Sequence, residues 1–69
     1  MNVYYLMVWM EDQAQWWQVD EVEAPNRGYA ASVLKASNPT VCAHNVTRVV
    51  DAGELTELLA PEPELALVA

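Results

Sequence analysis

Cys42 and His44 are the two side chains of this 69-residue chain with nucleophile-and-base chemistry, and each is the only residue of its type. Two positions apart on an extended chain they share a face, but their Cα atoms then stand about 7 Å apart. That is too far for the roughly 3 Å hydrogen bond through which an imidazole activates a thiol. No third group nearby is placed to orient the histidine, so Cys42 reads as a small apolar side chain. Glu21 and Glu23 repeat the same spacing with carboxylates, but among ten acidic residues they read as solvated surface. A structural zinc takes four ligands, which one cysteine and one histidine do not supply. One cysteine also leaves no internal disulfide, and Gly28 and Gly53 are too few for a phosphate-cradling loop. The expectation is no catalytic residue, no metal and no cofactor.

The more informative residues are aromatic. Residues 15–18 read QWWQ, and neighbouring side chains on a strand point to opposite faces. Trp16 and Trp17 therefore cannot both enter one core from one strand. One of them is surplus to a single hydrophobic face, and surplus Trp, Tyr and Met are the residues that interfaces favour.

The totals limit what such a surface can meet. Ten acidic residues against three basic ones give a formal charge of −7. Acidity keeps a small protein soluble and steers it toward a basic partner. Direct nucleic-acid binding needs a Lys/Arg stripe along the phosphates, which Arg27, Lys35 and Arg48 do not make. The opening MNVYYLMVWM has no basic lead and no small-residue cleavage site, and it falls short of the roughly 20 apolar residues of a membrane span. A cytoplasmic protein with no membrane partner is expected. A single domain of this length buries only about 60% of its unfolded surface, so packing or a partner must supply what disulfides and metals do not.

The elements that position these residues follow from pattern. Residues 3–10, VYYLMVWM, are apolar on both alternating faces and predict a strand. EDQAQ is a polar turn, and residues 16–23, WWQVDEVE, predict the second strand of a hairpin. Asn26 after Pro25 predicts a helix N-cap, with Ala30, Val33, Leu34 and Ser37 on one face, over 26–37. Pro39 stops that helix. A third strand is expected over about 45–51, with 40–44 as its approach or bent start. Asp51 and Glu54 are spaced like a capping box, and Leu55, Leu58 and Leu59 share a face, which fits a short C-terminal helix. PEPE then opens an extended tail that ends in LALVA.

The predicted fold is α+β: a small, mainly antiparallel three-stranded sheet in the order β-β-α-β, with one helix across one face. One domain covers 1–60, with a mobile tail over 61–69. A hairpin turning through Asp12–Gln15 opposes Met10 to Trp17 and Val8 to Val19. Tyr4, Leu6, Val8, Met10 and Trp17 then form the core under the helix. Tyr5, Met7, Trp9 and Trp16 face the other way, alongside Gln18 and Asp20. A five-residue turn pairs Trp9 with Trp17 instead, and register is not fixed by the sequence alone. The second face is either covered by the C-terminal leucines or is a contact surface for a partner or a second copy. The expected partner-binding residues are Tyr5, Trp9 and Trp16, with Asp20, Glu21 and Glu23 as an acidic rim.

The stretch from Trp17 to Ala36, WQVDEVEAPNRGYAASVLKA, resembles a pattern in small phage and mobile-element proteins. There a hairpin strand ends in V-x-A, as in Val22-Glu23-Ala24, and runs into an alanine-rich helix, as in Ala30, Ala31 and Ala36. Many such proteins are host-takeover factors: regulators of host RNA polymerase or anti-CRISPR proteins. The resemblance covers about half the chain and marks fold rather than site. It implies a non-catalytic binder acting on RNA polymerase or a CRISPR effector in the host cytoplasm; the alternative, drawn from the aromatic face and not from the resemblance, is a structural homodimeric module.

Overall fold

A computed structural model describes residues 1–59 of the chain. The expected tail, 61–69, lies outside the described residues. The elements are β1 (Asn2–Met10), β2 (Gln15–Ala24), α1 (Arg27–Ser37), α2 (Pro39–His44), β3 (Thr47–Asp51) and α3 (Ala52–Leu59). The sheet is three-stranded in the order β2-β1-β3, with both pairings antiparallel. The α+β class holds. The largely apolar β1 takes the central place because it is the one strand that both others must cover.

α1 begins as its sequence demands: the Asn26 side-chain oxygen accepts from the Tyr29 amide at 2.9 Å, satisfying one orphan donor of the first turn. Its buried residues are Ala30 and Leu34. They pack on the sheet face that carries Tyr4, Leu6, Val22, Ala24 and Val49. Small residues at Ala24 and Ala30, both fully buried, let the helix approach the sheet closely.

Helices cover both faces: α1 lies on one, and the C-terminal helix, one of the two alternatives for the second face, lies on the other. α3 lies against the opposite face, against β3 and β1, and on that face Met7 and Val50 are 0% exposed. Its start is the expected capping box. The Glu54 amide donates to Asp51 Oδ1 at 2.8 Å, and the Asp51 amide donates to Glu54 Oε1 at 3.0 Å. Arg27, from the first turn of α1, donates to the same Glu54 oxygen at 2.6 Å and lies 3.7 Å from Asp51 Oδ2. The starts of the two helices are thereby clasped around the end of β3.

Residues 39–44 form a short helix rather than a strand approach, and β3 is confined to Thr47–Asp51. Pro39 both ends α1 and opens α2. A proline at the first helical position needs no amide hydrogen bond and carries a ready φ.

The hairpin register also differs from expectation. The turn is Glu11–Ala14, and Met10 pairs with Gln15, Val8 with Trp17 and Trp9 with Trp16. A two-residue slip preserves which face each tryptophan takes. Between Met7↔Gln18 and Leu6↔Asp20 the register then shifts by one. Val19 is the extra residue of a β-bulge, and every later β2 side chain changes face. Asp20 moves to the α1 side, while Glu21 and Glu23 turn to the α3 side.

Candidate interaction surface

The bulge decides which acids stand beside the aromatics. Asp20, expected at the rim near the tryptophans, instead shares the α1 face with Leu6. Its Oδ2 accepts from the Asn38 side chain at 3.0 Å and its Oδ1 from the Glu21 amide at 2.8 Å. The Asn38 bond, then the Glu21 amide, hold the Asp20 carboxyl below its ordinary value of 3.8, because both favour the ionised form. Asn38 also caps α1, donating to the Leu34 carbonyl at 2.9 Å. The end of α1 is therefore tied to the sheet over the bulge, short of the hairpin end.

That tie explains Trp17. It lies on the α1 side, beside Val8, but the helix stops before reaching it, and Trp17 is 46% exposed. The expectation that Trp17 enters the core is corrected: the face is right, but the cover is missing. Val19, at the bulge, is 39% exposed beside it.

Trp16 takes the other face, as expected, and lies against Trp9 directly across the strands. Their ring centroids are 5.3 Å apart and the planes meet at 63°, an edge-to-face pair favoured by the ring quadrupoles. Both are half-buried. With Ala14, Gln15, Leu58 and Leu59 they line an open cleft between the hairpin and the end of α3. Of the expected set, Tyr5 is half-buried and pairs with Glu21 on β2 and Val50 on β3. Met7 is wholly buried under α3 and offers nothing to a partner. Glu21 and Glu23 are exposed on the Trp16 side of β2, and Gln18 donates to Glu21 Oε1 at 3.2 Å.

The structure brings together Trp9 and Trp16, sets Glu21 and Glu23 further along the same face, and takes Asp20 away. It adds Trp17 and Val19, which the sequence reading had placed inside. The signal for them is present in the chain: apolar β2 residues fall on odd positions at Trp17 and Val19, then on even positions at Val22 and Ala24. A change of phase within one strand is the mark of a bulge.

Cys42 and His44 do not form a nucleophile–base pair. They lie on α2, Cys42 half-buried and His44 exposed. Two residues along a helix of 3.6 residues per turn point nearly apart. Among the described residues no group of His, Cys, Asp and Glu is placed to hold a metal ion. No described helix is long and apolar enough to cross a membrane. No family model, curated protein or solved structure matches the chain.

Proposed function

We propose that the chain is a non-catalytic binding module that presents the hairpin end of its sheet to a protein partner with a basic surface. The observation that carries this reading is the concentration of three tryptophans at one end of the sheet, two half-buried as an edge-to-face pair and one exposed. Large aromatics left partly open are the residues from which binding hot spots are made. The acids Glu21 and Glu23 along the same strand supply attraction at a distance, which salt screens over about 8 Å at physiological ionic strength.

The target class we propose is a host nucleic-acid machine, with RNA polymerase and a CRISPR effector first. Such machines hold nucleic acid in basic channels, which suit a ligand of formal charge −7. The likeness of the β2–α1 stretch to small phage proteins favours the same targets. A homodimer through the aromatic face is the weaker reading. α3 already covers Met7 and Val50 there, and a dimer doubles the negative charge.

The test is functional inhibition. Purified chain is added to transcription by bacterial RNA polymerase and to target cleavage by a CRISPR effector. Inhibition of either should weaken as salt rises, and Trp16→Ala should lose it through faster dissociation, by about 30-fold for a hot-spot residue. If neither machine is slowed and neither retains the chain on gel filtration, the proposed target class is wrong.

A further inference from the structure

We propose that the outer edge of β2 is the docking element, and that it takes an extended basic segment of the partner as a fourth strand. This rests on the binding-module reading above and specifies how the partner is held.

The two edges of the sheet differ. β3 is a five-residue strand hemmed at both ends, by α2 before it and α3 directly after it. β2 is a ten-residue strand with a turn before it and Pro25-Asn26 after it, and among the described residues one side of it is unpaired. A long open edge is a template for another strand, and proteins commonly blunt such edges with lysine, proline or a bulge. β2 has its bulge at Val19, but no lysine, arginine or proline between Gln15 and Ala24. At the bulge the Glu21 amide is already taken by the Asp20 carboxylate, so one position is plugged and the stretches on either side are not.

The side chains along the edge define the occupant. An added strand sets its side chains about 5 Å from those directly opposite on β2. On the α3 side it would meet Trp16 and Gln18, then Glu21 and Glu23. On the α1 side, toward the turn, it would meet Trp17 and the bulge residue Val19, which are open to solvent. The complementary strand carries apolar residues on its α1 side, opposite Trp17 and Val19, and Lys or Arg on its α3 side, opposite Glu21 and Glu23. Backbone hydrogen bonds would supply affinity and the alternating side chains specificity, as in other strand-addition complexes. A second copy suits the edge less well, because it brings Asp20, Glu21 and Glu23 of its own and another formal charge of −7.

The probe is a synthetic ten-residue peptide of alternating lysine and valine, with two controls. One control replaces each lysine by glutamate. The other keeps the sequence but N-methylates alternate backbone amides, which removes strand pairing and leaves the charge. Binding is followed by tryptophan fluorescence and by amide hydrogen exchange. The lysine peptide should slow exchange at alternate β2 amides and leave β3 unchanged. N-methylation, and separately the Glu21→Lys/Glu23→Lys double variant, should each weaken binding about tenfold or more. Circular dichroism of the double variant should match the parent, because both residues are exposed. The proposal is overturned by absence of peptide binding, by equal binding of the N-methylated peptide, by protection that falls elsewhere, or by β2 amides already protected in a dimer without peptide. If the chain inhibits a machine while the peptide leaves β2 untouched, only the docking mode fails. If the peptide docks on β2 and no machine is inhibited, only the target class fails.

Discussion

The two ends of the sheet are built on opposite plans. At the end near Tyr4 and Leu6, α1 and α3 cover both faces, and Leu6, Met7, Ala24, Ala30, Leu34 and Val50 are all but sealed from water. At the hairpin end, Trp9 and Trp16 are half-covered and Trp17 is open. The closed end is made of aliphatic and small residues around the one buried aromatic, Tyr4, while all three tryptophans of the chain sit at the open end. In a domain this small the largest side chains would ordinarily be the core. Their displacement to the uncovered end separates what holds the fold from what is offered outward.

The sharpest way to break this comparison is at the closed end. Leu6→Ala removes a fully buried side chain and should cost about 2–5 kcal/mol, a large share of the stability of so small a domain. Urea unfolding reads it directly, and a loss below about 1 kcal/mol would mean that the core lies elsewhere. Asp51→Ala removes half of the capping box and the Asp51 contact to Arg27. A cost of about 1 kcal/mol is expected, with exchange protection lost first in α3.

The adjacent tryptophans give a matched pair. Trp16→Ala breaks the edge-to-face pair with Trp9 and should destabilise by about 1 kcal/mol more than Trp17→Ala. Trp17→Ala should stay within about 0.5 kcal/mol of the parent, as exposed positions do. Equal losses in the two variants would show that α1 covers Trp17 after all. In the turn, Ala14 has φ 52°, a region costly for a residue with a Cβ. Ala14→Gly should raise stability by up to about 1 kcal/mol, seen as a higher urea midpoint.

The smallest effect is read as a direction. The Asp20 carboxyl is held below its ordinary value, chiefly by Asn38. The folded state therefore favours the carboxylate, and the contribution is present above the ordinary value. It fades as pH falls below that value and through the folded one. Urea midpoints compared between about pH 5 and about pH 2 should fall less steeply for Asp20→Asn than for the parent. An unchanged acid limb would mean that the Asn38 bond does not hold in solution.

Much of this architecture is legible from local chemistry. The apolar run of β1, the Asn26 cap and the Asp51/Glu54 box each specify an element by contacts a few residues long, and each is found as read. What fails is of two kinds, one local and one set by a partner distant in sequence. α2 was missed because Pro39 was given one role, to stop a helix, when it also starts one. The exposure of Trp17 was missed because hydrophobicity says which face a side chain takes, not how far the covering helix extends. That reach is set by the tie between Asn38 and Asp20, and it requires the bulge at Val19 to turn Asp20 toward α1.

The central position of β1 has a consequence in time. Its pairing with β2 closes through the adjacent turn, whereas its pairing with β3 joins Tyr4 to Asp51 across both intervening helices. Short closures form readily and long ones wait on chain entropy. The hairpin therefore assembles first, and a lone hairpin is only marginally stable in water. Until β3 arrives, the free side of the most apolar strand in the chain stays open to other molecules. The arrival of β3, rather than the forming of any helix, is the step that closes the free edge of β1.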